Sequence, residues 1–272
     1  MEKIDQKFVN DICAKYDIHP SKSLGQNFLI SENVLNRIIE KADLKPADHV
    51  LEVGPGLGAL TQKIFPLVTE LVAIEKDRKM IAILEDRFRD IKNLKIINQD
   101  ILDFDPTEFG LTDYKVVANL PYQISSSFLE KFLSLKTPPS EMILMFQKEV
   151  GEKLCALPGE MSVLSVATQL YAEPEILFQV SNTKFFPVPK VDSVVVRLKL
   201  KKIDLKIESK NFFKIVRAGF ASKRKKLRNN LKSLFPEIDL ILQKINLRAD
   251  IRAEDLTVAD WIRLYDFIES QK

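Results

Sequence analysis

The chain has 272 residues, 46% of them hydrophobic and 29% charged, and its formal net charge is +3. Such a chain is long and apolar enough for one large and one small globular domain. It contains no apolar run near the roughly 20 residues that a membrane span needs, and Met1–Asp5 has no signal-peptide pattern, so we expect a cytoplasmic protein. Cys13 and Cys155 are too few and too isolated for a zinc site or a disulfide framework, and no bound metal is expected.

The first strongly periodic segment predicts a helix that Ser31 caps and that ends before Pro46. Its apolar stripe consists of Val34, Leu35, Ile38, Ile39 and Ala42. The next segment, Asp48–Val53, is typical of a buried strand, and it leads into the glycine loop Gly54–Gly58 and a helix-like run at 59–64. A strand, a glycine turn and a helix in this order are typical of nucleotide-binding α/β proteins.

Polar groups end the next two predicted strands. Glu75 follows the apolar run 71–74, and Asp100 follows the run 94–99. Gly54 and Gly56 have no Cβ atom to keep a ligand away from the backbone, and Glu75 has the spacing from the glycine loop that suits a carboxylate on ribose hydroxyls. These strand ends therefore predict a nucleotide-like ligand at one edge of a sheet.

The glycine loop also fits a second class of enzyme. Gly54–Ala59 satisfies the dinucleotide pattern G-x-G-x-x-G/A, with Glu75 at the expected distance, so an NAD-dependent oxidoreductase is an alternative. Against it, the chain has only two histidines, His19 and His49, which makes an acid–base partner for hydride transfer hard to place. A dehydrogenase also explains no role for Asp100.

The most informative motif follows the apolar run 114–118. It is the tetrad Asn119-Leu120-Pro121-Tyr122. Pro121 has a fixed φ and favours extended geometry at Leu120, so the carbonyls of Asn119 and Leu120 can form a rigid pair of acceptors. Two such acceptors can bind the exocyclic amine of adenine, and Tyr122 can stack on the base. For four residues alone, an ordinary strand-to-turn segment is an equally good interpretation.

Four motifs occur in order along the chain: Gly25–Leu29, Glu52–Gly58, Asn119–Ser126 and Phe186–Ser193. Together they resemble the ribosomal RNA adenine dimethyltransferases of the KsgA type, over roughly residues 21 to 265. The resemblance implies a Rossmann-like S-adenosylmethionine-dependent sheet with helices on both faces, plus a small all-helical C-terminal domain. It further implies that S-adenosyl-L-methionine, as co-substrate, donates methyl groups to two adjacent adenosines near the 3′ end of small-subunit ribosomal RNA.

By position in these motifs, the resemblance implies a donor-binding set and a target-binding set. The donor set is Asn27, Leu29, Gly54, Gly56, Glu75, Asp100 and Asn119. The target set is Asn119, Leu120, Pro121, Tyr122 and Phe185. Phe185 matches the family's second stacking aromatic more closely than Phe186 does, although the doublet leaves both rings as candidates.

Leu120 bears on the choice of substrate. The related antibiotic-resistance methyltransferases, which act on large-subunit ribosomal RNA, typically carry Ile at this position, and DNA adenine methyltransferases typically have two prolines in the corresponding turn. Leu120 therefore favours the small-subunit RNA enzymes.

Charge is distributed unevenly along the chain. Lys184–Lys232 contains 16 Lys and Arg against 3 Asp and Glu, whereas the remainder has a net charge of −10. The density is highest at Lys223, Arg224, Lys225, Lys226 and Arg228. Such a cluster favours binding to RNA phosphates, and the alternative is a solvated helix face. A basic domain is also compatible with a noncatalytic RNA-binding factor in ribosome assembly.

The remaining pattern predicts the end of the sheet and a change of architecture. Runs at 141–147, 176–180 and 193–200 predict a mostly parallel sheet with an antiparallel edge. After Leu200 only helices are predicted, the last with a capping box at Thr257–Asp260. We expect a catalytic domain at 1–204, in which 1–30 forms a lid or RNA-contact segment, and a basic helical domain at 205–272. We further expect a monomer that acts on RNA in a pre-ribosomal particle.

Overall fold

The computed structural model of the chain describes residues 3–20, 25–201 and 207–271. The expected domain boundary at 204/205, and residues 1–2 and 21–24 of the expected N-terminal lid, lie outside these ranges. The strands are β1 (Phe28–Leu29), β2 (His49–Val53), β3 (Glu70–Glu75), β4 (Leu94–Asn98), β5 (Lys115–Asn119), β6 (Glu141–Gln147), β7 (Ala172–Val180), β8 (Phe185–Phe186) and β9 (Ser193–Leu200). The helices are α1 (Gln6–Lys15), α2 (Glu32–Ala42), α3 (Thr61–Ile64), α4 (Arg78–Phe88), α5 (Ser125–Leu133), α6 (Lys148–Leu154), α7 (Val163–Tyr171), α8 (Ser209–Gly219), α9 (Leu227–Leu231), α10 (Ile238–Lys244) and α11 (Val258–Glu269).

The chain forms two compact units, and the division differs from a single cut in the sequence. The first unit is Met1–Gly151 with Glu173–Leu200, and the second is Glu152–Ala172 with Lys201–Lys272. Residues 152–172, which we expected in the catalytic domain, therefore belong to the second unit. The physical reason is that Val166 and Leu170 of α7 are buried in the same apolar cluster as the later helices.

The first unit is built on a seven-stranded sheet in the order β4-β3-β2-β5-β6-β9-β7. Strands β2 to β6 pair in parallel, and β9 pairs with β6 antiparallel. This confirms the expected Rossmann-like sheet with an antiparallel edge. Strand order reverses beside β2, because β3 lies on one side of it and β5 on the other, and such a reversal opens a crevice beyond the carboxyl ends of the strands.

The core of this unit follows the predicted apolar pattern. Val50 and Leu51 of β2 have no exposed surface, and four residues of the predicted stripe on α2 are buried, with Ile39 packed against the same cluster. Ser31 occupies the cap position of α2, although its side chain makes no capping hydrogen bond. The predicted stripe and the predicted cap position of Ser31 are therefore confirmed, without a capping hydrogen bond from the Ser31 side chain.

A short two-stranded sheet joins distant parts of the first unit. β1 pairs antiparallel with β8, so that Phe28 lies opposite Phe186 and Leu29 opposite Phe185. Phe28 also belongs to a small apolar cluster, which contains Ile4, Phe8, Val9, Ile18, Phe28, Leu57, Met80 and Ile83. These contacts hold the Gly25–Leu29 segment against the glycine loop.

The second unit is helical in the residues that the structure describes. Phe212, Ile215 and Val216 are buried together with Trp261, and Phe213 and Phe220 pack against the same cluster, so the predicted core role of these aromatics is confirmed. The predicted capping box at the start of α11 is also present: the Thr257 hydroxyl accepts from the amide of Asp260, and the Asp260 carboxylate accepts from the amide of Thr257. Within 3–20, 25–201 and 207–271, no helix is long and apolar enough to cross a bilayer.

Candidate active site

A cavity opens at the carboxyl ends of β2 to β5 in the first unit. Its lining includes the whole predicted donor set and four of the five predicted target residues: Asn27, Leu29, Gly54, Gly56, Glu75, Asp100, Asn119, Leu120, Pro121 and Tyr122. Side chains and loops separated by up to about a hundred positions in sequence thus surround one space, at the place where a doubly wound sheet binds ligands.

The glycine loop is shaped to bring backbone close to both the cavity and the tetrad. Gly54 has φ +64°, and a Cβ built on it would lie 3.3 Å from Cδ of Pro121. The Gly54 amide donates to the carbonyl of Ile74, and the Gly58 amide donates to the carbonyl of Pro55. A side chain at position 54 would therefore separate the two motifs, which explains why a residue without Cβ stands there.

Glu75 is oriented by backbone amides at the end of β3. Its Oε2 accepts from the Gly56 amide at 3.1 Å and its Oε1 from the Asp77 amide at 2.9 Å. Burial raises the pKa of Glu75, and these two amide contacts oppose that rise. Since each carboxylate oxygen can accept more than one hydrogen bond, both oxygens keep capacity for the hydroxyl groups of a ligand.

Asp100 is anchored from two directions. Its Oδ1 accepts from the Leu102 amide at 3.0 Å, and its Oδ2 pairs with Nζ of Lys76 at 2.7 Å. The hydrogen bond from Lys76 lowers the pKa of Asp100, with a further contribution from the Leu102 amide. The Asp100 carboxylate is therefore fixed in orientation, and the exposed Lys76 side chain shares one of its two oxygens.

Lys131 of α5 supports the loop that follows Asp100. Its ammonium group donates to the carbonyls of Ile101, Leu102 and Phe104. Because α5 begins directly after the tetrad region, this lysine links the loop at the end of β4 to the helix that follows β5.

Glu52 is a cavity residue that the motif analysis did not assign. It lies in β2, is 1% exposed, and its Oε2 has no hydrogen-bond partner in the part of the chain that the structure describes. Burial raises its pKa to about 8, and the neighbouring Glu75 carboxylate adds to the rise. The one signal in the sequence was a carboxylate inside an otherwise apolar strand run, directly before the glycine loop.

The tetrad sits at the end of β5 with its amide side chain already oriented. Nδ2 of Asn119 donates to the backbone carbonyl of Asn27 at 3.3 Å. Because a carbonyl can only accept, the amide nitrogen faces Asn27 and Oδ1 is the atom left for a ligand. Pro121 has φ −57°, and Tyr122 begins a short 3₁₀ helix and lines the cavity.

Phe185 is the one predicted target residue that the structure does not bring to the cavity. It is 1% exposed and belongs to the main apolar core of the first unit, opposite Leu29 in the β1–β8 pair. A ring covered on both faces cannot stack on a base, so the expectation of an available ring at Phe185 was wrong for this structure. Phe186 is partly buried beside the N-terminal cluster and does not line the cavity either.

The predicted RNA-binding residues lie in the second unit, with Lys223–Lys226 between α8 and α9 and Arg228 within α9. Lys223, Arg224, Lys225 and Lys226 are exposed, and no carboxylate of the described residues is within ion-pair distance of them. We call these four residues the basic loop. Arg228 differs, because its guanidinium is half-buried and pairs with Asp239 at 3.3 Å. Its charge is partly compensated by this pair, and its predicted role in RNA binding stays a prediction.

Comparison with known proteins identifies the family. A family model described as ribosomal RNA adenine dimethylase matches residues 17–270. The chain belongs to this family. It is accordingly a ribosomal RNA adenine dimethyltransferase with S-adenosylmethionine as methyl donor, and the NAD-dependent and noncatalytic alternatives are not favoured.

Two curated relatives illustrate the sequence similarity. The chain is 39% identical to a ribosomal RNA small subunit methyltransferase A of Dehalococcoides mccartyi (strain CBDB1), over 92% of this chain and 88% of the relative. It is also 39% identical to the protein of the same description in Geobacillus sp. (strain WCH70), over 95% of each chain.

Two solved structures share the fold over most of the chain. A dimethyladenosine transferase from Plasmodium falciparum superposes with a TM-score of 0.79 at 26% identity, covering 89% of this chain and 97% of that one. The 23S rRNA methyltransferase ErmE superposes with a TM-score of 0.73, also at 26% identity, covering 89% of this chain and all of that one. The fold is therefore shared with a dimethyladenosine transferase and with a methyltransferase of 23S ribosomal RNA.

Proposed function

We propose that this enzyme dimethylates the N6 amines of two adjacent adenosines near the 3′ end of small-subunit ribosomal RNA. We propose further that its substrate is a pre-ribosomal particle and that it acts as a monomer in the cytoplasm during small-subunit maturation. The choice of the small subunit is supported by the 39% identity to relatives described as small-subunit enzymes and by Leu120 in the tetrad. The fold alone does not make this choice, since ErmE shares it.

The single observation that carries the proposed chemistry is the meeting of the glycine loop and the tetrad in one cavity. The chain's residues fit S-adenosylmethionine on two counts. The close approach of Gly54 to Pro121 leaves backbone uncovered where a Cβ would intrude. The buried Glu52 carboxyl, whose Oε2 has no hydrogen-bond partner among the described residues, can release its proton and pair with the cationic ammonium group of the donor. In this assignment Glu75 binds the ribose hydroxyls and Asp100 accepts from the adenine amine of the donor.

The remaining donor contacts come from the N-terminal segment and the loop. Asn27 and Leu29 cover the donor, Gly54 and Gly56 approach its amino acid part through backbone, and Asn119 lies between donor and target. The first compact unit thus holds all of the proposed chemistry, and the basic loop of the second unit is proposed to bind RNA phosphates.

The target adenine is proposed to leave its stack and enter the cavity at the tetrad. Its N6 amine donates to Oδ1 of Asn119 and to the carbonyl of Leu120, and Tyr122 stacks on the ring. The amine lone pair is normally delocalised into the base, and hydrogen bonds from both N–H groups to fixed acceptors favour a more pyramidal, more nucleophilic nitrogen.

The chain's contribution to the reaction is then positioning and electrostatics. The donor supplies a methyl group on positively charged sulfur. Asn119 and Leu120 aim the nitrogen lone pair at that carbon, and their carbonyl dipoles stabilise the positive charge that reaches the nitrogen. The leaving thioether is neutral and the amine releases its proton after attack, so no general base on the protein is required.

The proposal is tested by incubating the enzyme with tritiated S-adenosylmethionine and undermethylated small ribosomal subunits, followed by nucleoside analysis and mapping of the label. We expect label in N6,N6-dimethyladenosine at two adjacent positions near the 3′ end. Large subunits serve as the matched control and should remain unlabelled. Label confined to large-subunit RNA, or no transfer to either particle, would overturn the proposed substrate.

A further inference from the structure

The hydroxyl of Tyr122 is held by a buried partner at the start of β9. It lies 2.6 Å from Oγ of Ser193, and Ser193 has no exposed surface. Burial raises the pKa of Tyr122, so the phenol stays protonated at neutral pH and the contact is a hydrogen bond between two hydroxyl groups. A bond of this length between hydroxyl oxygens is at the strong end of the usual range.

Ser193 is itself fixed on both sides. It is the first residue of β9 and pairs with Gln147 in the antiparallel register of β6. The carbonyl of the preceding residue, Asp192, accepts from the amide of Lys148, and the Asp192 carboxylate accepts from the amide of Asn182. These contacts fix the backbone at Ser193. Its hydroxyl group is therefore held in place, and through the hydrogen bond it restrains the Tyr122 side chain.

The Phe186–Ser193 segment is connected to the cavity through the pairing of Phe186 with the lining residue Phe28 and through the hydroxyl pair of Ser193 and Tyr122. None of its residues is in the cavity lining, although all of them are described by the structure. The hydroxyl pair is thus the direct physical link between this motif and the tetrad. A tyrosine ring has only two side-chain torsions, and anchoring its far end removes the freedom of both.

We propose that Ser193 is a positioning residue for the target adenine, because its hydroxyl holds the Tyr122 ring in the plane in which the ring stacks on the base. The inference rests on the stacking role given to Tyr122 under the proposed function. It assigns Ser193 no contact with the donor, with the RNA or with the reacting atoms.

The test is a mutant cycle with Ser193→Ala, Tyr122→Phe and the double variant. Without this hydrogen bond the Tyr122 ring can rotate and misplace the base. A misplacement of about an ångström or less reduces kcat by about ten- to a hundredfold. We expect that loss in both single variants, with no further loss in the double variant, since each change removes the same bond. The KM and Kd for S-adenosylmethionine should stay at the wild-type values, because both changes leave the donor-binding residues themselves unaltered.

Two further variants separate the possible failures. Ser140 lies just before β6, and its hydroxyl donates to the carbonyl of Tyr114. Ser140→Ala therefore controls for the loss of a serine hydrogen bond in the same unit. Its kcat should equal that of the wild type. Tyr122→Ala tests the stacking role itself and should reduce kcat at least as much as Tyr122→Phe.

The outcomes are distinguishable. If Tyr122→Ala transfers methyl groups at the wild-type rate, the stacking role fails and the inference fails with it. If Tyr122→Ala is slow while Ser193→Ala and Tyr122→Phe are both at the wild-type rate, only the role of Ser193 is overturned. Should Ser193→Ala unfold below the assay temperature, Tyr122→Phe, which keeps the ring volume, decides the question alone.

Discussion

At the scale of single residues, donor binding and methyl transfer are assigned to different side chains in one cavity. Asn119 presents a carbonyl oxygen whose orientation the Asn27 backbone sets, whereas Glu75 is held by the amides of Gly56 and Asp77. Because Glu75 is assigned to the donor alone, whereas Asn119 lies between donor and target and is assigned the N6 amine, their substitution should affect different kinetic constants.

The first prediction concerns Asn119→Ala. Removal of one of two fixed acceptors for the N6 amine should lower kcat by roughly a hundred- to a thousandfold while the donor Kd stays within about threefold of the wild type. The matched variant Glu75→Gln should raise the donor Kd by about tenfold or more, because it replaces a charged acceptor with a neutral one. Single-turnover transfer and donor calorimetry measure the two effects. Equal loss of donor affinity in both variants would contradict this division of roles.

The second prediction concerns the buried carboxyl of Glu52. Its pKa rises from 4.5 to about 8 in the folded protein, so between these values the folded state binds a proton that the unfolded state does not. Folding stability must therefore fall as pH rises through this window, by at most about 1.4 kcal/mol per pH unit. We expect Glu52→Gln to remove this component, so that the variant gains stability relative to wild type from pH 5 to pH 8. Urea unfolding without donor measures the free energy of unfolding of both proteins at each pH. If the two proteins depend on pH in the same way, Glu52 is ionised in the folded protein and the prediction is wrong.

How well the sequence predicted these residues depends on the kind of signal they carry. Asn119 and Glu75 end strands and belong to ordered motifs, so their place at one sheet edge could be predicted. For Glu52 the only signal in the sequence was a carboxylate in an apolar strand run. Only the three-dimensional packing shows that this carboxyl is covered and that its Oε2 has no partner among the described residues. Phe185 failed for a related reason: in a strand, a shift of one residue turns a side chain to the opposite face, and a Phe-Phe doublet carries no information on which face is covered.

At the scale of elements, the glycine loop also controls how α4 packs. Gly58 has φ +81°, and a Cβ on it would lie 2.5 Å from Cε2 of Phe88, a buried ring of α4. The absence of a Cβ at position 58 therefore makes room for the Phe88 ring, and not for a ligand. This packing explains a third glycine in the loop, beyond the two that line the cavity.

The third prediction compares Gly58→Ala with Gly110→Ala. Gly110 has φ +74° and open space where a Cβ would stand, so both variants bear similar backbone strain, about 1–2 kcal/mol. Only Gly58→Ala adds overpacking against Phe88, which should lower the free energy of unfolding by a further amount of about 1–3 kcal/mol. The difference in the free energy of unfolding, measured in urea, isolates the clash. Equal free energies for the two variants would mean that Phe88 moves aside without cost.

The long strands of the sheet were predictable from hydrophobic runs, whereas the short strands β1 and β8 were not. β2 to β6 and β9 carry apolar runs bounded by polar residues, whereas β1 and β8 have two residues each and pair across more than 150 positions. A two-residue strand has no periodicity, so its pairing cannot be recognised without the packing of its neighbours. The Ser31 position was recognised correctly, but residue type alone does not decide whether a hydroxyl turns towards the helix amides.

At the scale of the whole molecule, the chain combines an acidic remainder with a strongly basic segment. The basic loop is exposed and unpaired among the described residues, whereas Arg228 next to it is partly compensated by Asp239. Electrostatic binding to RNA depends on cations that are free to replace counterions at phosphates. The loop and not the arginine should therefore determine the salt dependence of binding.

The fourth prediction tests this with two variants of equal charge change. Lys223→Gln combined with Lys225→Gln should weaken binding to ribosomal RNA and reduce the slope of log K against log salt by about two. Lys92→Gln combined with Lys136→Gln removes two exposed lysines from the first unit and should leave the slope unchanged. Filter binding across a salt series measures both. Identical slopes for the two variants would mean that the basic loop affects RNA binding only through the overall charge of the protein, and the prediction would be wrong.

The organisation into two units was only partly predictable. The change from mixed elements to helices after Leu200 indicated a helical second part. The insertion of 152–172 into that part could not be read from the pattern, because α7 has the same apolar stripe that a helix on the sheet would have. A contiguous boundary was assumed, and the tertiary packing of Val166 and Leu170 overrides it.

The meeting of donor and target amine at the tetrad is tested most directly by a crystal structure with the donor analogue sinefungin and adenosine bound. We predict that the amine of sinefungin, which replaces the transferable methyl group, faces the tetrad, and that N6 of adenosine lies about 3 Å from Oδ1 of Asn119 and from the carbonyl of Leu120. A complex in which that amine points away from Asn119, or in which adenosine binds outside the cavity, would contradict the proposed chemistry.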